Sequence, residues 1–105
     1  MANRKRRESQ GDTAVLEKTK SKKPRRFKIY LHNDDYTPMD FVVMILMDVF
    51  HKDSMQAQKI MWTVHVSGIA LCGVYPFSIA ESKVDKVMEL ARREQYPLLC
   101  TMEAE

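Results

Sequence analysis

Asn33, Asp34 and Asp35 follow one another in this chain, and Asp40 adds a third carboxylate to the run Asn33–Asp40. A carboxamide beside carboxylates is a cluster of hydrogen-bond acceptors, and such a cluster calls for a cation or a group rich in donors. The partner could be a metal ion, a basic side chain or the ammonium group of a ligand.

A metal site could draw on Asp34 and Asp35 with His32 or His65. The calcium-loop pattern requires acids at alternating positions, a mid-loop glycine and a closing glutamate, and this segment lacks that arrangement. A zinc site needs more Cys and His at ligand spacing than two cysteines and three histidines supply. No metal is expected. Catalysis would pair Asp35 with His65 as acid and base, yet no nucleophile with an orienting partner accompanies them. The three glycines form no phosphate-binding loop.

An ammonium group offers three N–H donors and no acceptor. The Asn33 side-chain oxygen, the Asp35 carboxylate and a neutral His65 imidazole would supply three matching acceptors. Met61 and Val64, beside His65 on a helix, would add an apolar patch for whatever the ammonium is attached to.

The elements that must position these groups follow from periodicity. Phe27–His32 alternates apolar and polar residues with β-branched and aromatic bias, which predicts a strand with one buried face. Thr37 is expected as the N-cap of a first helix, with Pro38 at its first position and Asp40 three residues after the cap. Val42, Ile45, Leu46 and Val49 form its apolar face. A second helix starts near Asp53, with Gln56 completing a capping box, Ala57, Ile60, Met61 and Val64 as its inner face, and Gly68 as its stop. Ile69–Tyr75 reads as a buried strand. Ser78 with Glu81 predicts another capping box, for a third helix striped by Ala80, Val84, Val87, Met88 and Ala91. Leu98–Met102 is the expected last strand. The fold class is α+β: one small domain of order β-α-α-β-α-β, with a three-stranded antiparallel sheet packed against three helices. Periodicity leaves the strand order open.

Charge divides the chain. Residues 1–26 hold ten Lys or Arg against three acids, a net +7, while the rest holds seven against eleven, a net −4. So few apolar residues fall in the first segment that burial there cannot offset the entropy of ordering it. It is expected to be a disordered basic extension, followed by one domain over 27–105. As a functional element its Lys and Arg clusters would suit nucleic acid or an acidic protein surface, although no aromatic residue is interleaved before Phe27. Cys72 and Cys100 lie in apolar stretches, as buried reduced thiols do. With no apolar run long enough to span a bilayer and none after the basic start, a cytoplasmic location is expected.

The run Asn33–Val42, with Val64-His65, Gly68, Cys72-Gly73-Val74, Ala80-Glu81-x-Lys83-Val84 and Pro97–Thr101, closely resembles the ClpS family of bacterial N-degron adaptors. The likeness covers about residues 27–103 without a gap. It implies a protein that is not an enzyme and needs no cofactor. Such a protein binds the free N-terminus of a substrate and hands it to the ATP-dependent unfoldase ClpA, which feeds the ClpP protease. By this resemblance Asn33, Asp35 and His65, with Asp34 beside them, hold the α-amino group. Thr37, Met39, Val42, Met61, Val64 and Leu98 form the pocket for a large first side chain (Leu, Phe, Tyr or Trp), and Met39 excludes β-branched Ile and Val. Spacing alone would assign these apolar residues to core packing; only the joint pattern turns them into a pocket. Lys83 matches a contact to the unfoldase's N-terminal domain. Ser78 stands where the family is commonly acidic, and Ile69 where it is usually charged or polar. The flexible N-terminal extension is implied to engage the unfoldase pore.

Overall fold

A computed structural model of the protein describes residues 25–105, so the expected disordered extension lies outside the described residues except for Arg25 and Arg26. The elements are β1 (Arg26–His32), α1 (Met39–Asp48), α2 (Ser54–Ser67), β2 (Ile69–Pro76), α3 (Phe77–Arg93) and β3 (Leu99–Ala104). This is the predicted β-α-α-β-α-β order, with one three-stranded antiparallel sheet.

Periodicity left the strand order open, and the structure gives it as β2-β1-β3. The central position suits β1, because Ile29 and Leu31 are fully buried while Lys28, Tyr30 and His32 alternate to the other face. Along β2 the pairing steps from Ile29–Gly73 to Tyr30–Leu71, so Cys72 is an extra, unpaired residue. Such a bulge lets the strand turn an additional side chain inward, and Cys72 is buried beside Ala70. The helices close this side of the sheet with Phe41, Val42, Ile45 and Leu46 from α1, Ala57 and Val64 from α2, and Ala80, Val87 and Ala91 from α3. The opposite sheet face carries the exposed Ile69, Leu71 and Leu99. There His32 Nε2 and Thr101 Oγ1 share a hydrogen bond of 2.8 Å.

Three local expectations are corrected. Thr37 is not the cap of α1: Pro38 occupies that position in an extended conformation (φ −66°, ψ 146°) with no side-chain cap. The Pro38 carbonyl accepts from the N–H groups of Phe41 and Val42 at 3.1 and 3.3 Å, while the Thr37 hydroxyl is drawn back to Asp34. Ser78 does not cap α3 either. The helix starts at Phe77, directly after an extended Pro76, which puts Ser78 inside the first turn. The last strand begins at Leu99 rather than Leu98 and runs to Ala104, because β1 pairs with it as far as Phe27–Ala104. The expected Asp53–Gln56 capping box is present, with Gln56 N–H donating to Asp53 Oδ1 at 2.8 Å.

No glycine follows α3, although Arg92 and Arg93 in its last turn and Pro97 beyond it favour a stop there. Gln95 takes the left-handed conformation there (φ 61°), and Tyr96 N–H reaches back to the Ala91 carbonyl at 2.9 Å. A side chain in that conformation costs about 1–2 kcal/mol, part of which glycine recovers. Gln95→Gly is therefore expected to raise unfolding stability by up to about 1 kcal/mol in denaturant titration; an unchanged or lowered midpoint would contradict the turn.

Candidate functional site

β1 ends at His32, whose partner across the sheet is Ile69. The next N–H, that of Asn33, donates to the Gly68 carbonyl at 2.8 Å. Gly68 stops α2 in the left-handed conformation (φ 88°), and its own N–H closes the helix on the Val64 carbonyl at 2.9 Å. One hydrogen bond thus brings the acceptor loop against the last turn of α2, which carries Val64 and His65. A Cβ on Gly68 would meet nothing within 4 Å, so the backbone angle, not crowding, calls for glycine.

Within the loop the two adjacent carboxylates differ. Asp34 Oδ1 accepts from the N–H groups of Tyr36 and Thr37 at 2.8 and 2.7 Å, and its Oδ2 accepts from the Thr37 hydroxyl at 2.7 Å. This turn lets an Asp side chain stand in for a backbone acceptor. Burial alone would raise the Asp34 carboxyl, but the three donors outweigh it and hold it below the usual carboxylate range. Asp35 is exposed and accepts no hydrogen bond among the described residues. The Asn33 and His65 side chains are uncommitted in the same sense.

These residues open onto one cavity of about 380 Å³. Asn33, Asp34, Asp35 and His65 form its polar side, and Thr37, Met39, Val42, Met61 and Val64 its remaining walls. Nine of the expected ligand-site residues therefore come together. Leu98 does not join them: it is 2% exposed, sits in the core and is not part of the lining. Tyr36 and Pro38 also line the cavity and were not anticipated. Trp62, outside it, sets its ring 5.5 Å from that of His65, centroid to centroid, and tilted to it. The i, i+3 spacing of Trp62 and His65 is the signal that would have found it.

Lys83 lies elsewhere, in a groove of about 570 Å³ between α1 and α3 that Ser78, Ile79 and Lys86 also line. Its ammonium donates to the Val49 carbonyl at 2.7 Å, just past the end of α1, and rides 5.0 Å over the Tyr75 ring. Gly73 makes room for that ring, since a Cβ there would fall 2.6 Å from Tyr75. The thiols of Cys72 and Cys100 are both pushed up to about 12, mainly by burial, so neither is a nucleophile at neutral pH. Among the described residues no three His, Cys, Asp or Glu side chains gather as a metal-ligand set, and no helix is long and apolar enough to cross a membrane.

The sheet is thus covered by helices on one face, and a small cavity with acceptors on one side and apolar walls on the other opens beside the end of α2. The family model for the ATP-dependent Clp protease adaptor protein ClpS matches residues 22–101. The ClpS adapter of Oleidesulfovibrio alaskensis is 53% identical over 92 residues, covering 88% of each chain. That of Roseobacter denitrificans is 51% identical over 102 residues, covering 95% of this chain and 90% of its own. Among solved structures, Agrobacterium tumefaciens ClpS2 bound to L-phenylalaninamide superposes with a TM-score of 0.76 at 36% identity, covering 79% of this chain and all of that one. The chain belongs to the ClpS family of adaptors for an ATP-dependent Clp protease.

The depressed Asp34 carboxyl has a stability consequence. A group whose pKa is lowered by folding stabilises the fold above its unfolded value, about 4, and loses that contribution as pH falls through the lower folded value. Asp34→Ala is expected to reduce stability at neutral pH, with the gap to the parent chain closing on acidification below about pH 4. A gap that widens in acid would contradict this assignment.

Proposed function

We propose that this chain binds the free N-terminus of proteins beginning with Leu, Phe, Tyr or Trp and delivers them to a ClpA-type unfoldase, acting as an adaptor and not as an enzyme. The observation that carries the reading is the cavity itself, where three uncommitted acceptors stand beside an apolar wall. An α-ammonium has three N–H donors, and Asn33, Asp35 and His65 offer one acceptor each. Asp34, held by Tyr36 and Thr37, keeps the loop in shape rather than binding as a first partner.

The size supports a single side chain as the occupant. At about 380 Å³ the cavity is at the small end of the roughly 300–1,000 Å³ typical of ligand sites. Methionine thioethers adapt to varied shapes and contact aromatic rings favourably, which suits Met39 and Met61 to Leu and aromatic guests alike. Met39 is 41% exposed, the position of a gate that crowds a branch at the guest's Cβ. The ligand of the Agrobacterium relative, L-phenylalaninamide, carries a free α-amino group and a benzyl side chain. Those are the two groups that the proposed site reads.

The unfoldase's N-terminal domain is assigned to the groove around Lys83. Only one of the three Lys83 N–H donors is engaged by Val49, which leaves donors for an acceptor on the partner. Binding is the work of the domain over 27–105, and the basic extension ahead of it is assigned to handover. A nucleic-acid reading would rest on that extension alone, outside the described residues.

Calorimetry with short peptides tests the reading. A peptide beginning with Phe or Leu is expected to bind, and acetylating its α-amino group to abolish binding; equal affinity for the acetylated peptide would sink the proposal. Asp35→Ala is expected to cost about 2–5 kcal/mol of binding, the range for leaving one partner of a close charged pair unmatched. Met39→Ala is expected to admit Ile and Val at the first position, and continued exclusion would move the gate elsewhere.

A further inference from the structure

The outer face of α2 carries large apolar side chains that the core does not use. Met55, Trp62 and Val66 are 74%, 58% and 64% exposed. At about 100° per residue their spacings of seven and four align them on one stripe, opposite the buried Ala57 and Val64. Isolated exposed apolar residues need no explanation, but a row that runs up to a ligand cavity does. His65 connects the two. It lines the cavity on one side, and on the other its ring lies 5.5 Å from the Trp62 ring, tilted by 40°.

We infer that this stripe is an extension of the binding site. Trp62 is the platform for the side chain of the substrate's second residue, with a preference for aromatic or large apolar groups, and Met55 takes residues further along. The inference rests on the N-terminus reading proposed above. Its geometry is set by chain dimensions. Successive Cα atoms are about 3.8 Å apart, so a residue joined to one whose amino group is held at His65 is within reach of the adjacent indole. The seven residues from Trp62 back to Met55 span about 10 Å of helix, the length of about three residues of extended chain. Residues two to five of an extended N-terminus therefore match the row in length. An indole presents wide contact area at small entropic cost, and a neighbouring methionine adapts to varied side chains beyond it. Continuity with His65 favours substrate over a second copy as the occupant.

Trp62 is the only tryptophan in the chain and reports on itself. Full-length protein is titrated with two peptides, Phe-Phe-Leu-Leu-Lys and Phe-Gly-Gly-Gly-Lys, by calorimetry and by tryptophan emission. The first is expected to bind about three- to tenfold more tightly, the range for one aromatic contact, and to shift the emission to the blue beyond any change caused by the second. Trp62→Ala is expected to bring the ratio of the two affinities close to one, and Trp62→Phe to restore most of it. Equal affinities in the parent chain would overturn the inference. So would a ratio that survives Trp62→Ala while both peptides weaken together, since Trp62 would then merely support His65. Self-association abolished by Trp62→Ala would give the stripe to a second copy. Failure of both peptides to bind would instead refute the N-terminus reading on which the inference stands.

Discussion

The hydrogen bond from Asn33 N–H to the Gly68 carbonyl, 2.8 Å long, joins the two halves of the site. It extends the β1–β2 pairing past His32–Ile69 and ties the acceptor loop to the end of α2, more than thirty residues away in sequence. It forms because Gly68 takes a left-handed angle that lets the helix stop and the chain reverse into β2 at once. β2 then pairs with β1 from Ile69 onward, and the same register that builds the sheet delivers Asn33 to its acceptor. The cavity thus follows from the sheet pairing.

Within that frame adjacent residues carry opposite duties. Asp34 gives both oxygens to its own loop, and Asp35 gives neither to any described residue. Asn33, Asp35 and His65 are all exposed, so water can serve their acceptors until a ligand replaces it. The same division appears on α2, where Ala57 and Val64 face the core while Trp62 and Met55 face outward.

Much of this was legible in the sequence, and the parts that were not have physical reasons. Apolar spacing located all three helices, and the Asp53–Gln56 box and Gly68 marked both ends of α2, because caps act on residues close in the chain. Strand order was not legible: it depends on pairings across the whole domain. Capping patterns placed Thr37 and Ser78 at helix starts, but Pro38 and Pro76, extended and with fixed φ, stand directly before the two helices instead. The acceptor cluster was visible as chemistry, but the split between Asp34 and Asp35 depends on loop geometry that composition does not contain. Leu98 shows the opposite limit, since an apolar residue beside a strand reads the same whether it lines a cavity or fills the core.

The most direct measurement is a crystal structure of this chain with L-phenylalaninamide. The ligand's ammonium nitrogen is expected within about 3.2 Å of the Asn33 side-chain oxygen, an Asp35 carboxylate oxygen and a His65 ring nitrogen, with the benzyl ring among Met39, Val42, Met61 and Val64. A ligand bound elsewhere, or one seated there with its ammonium turned to solvent, would contradict the proposed role of these acceptors.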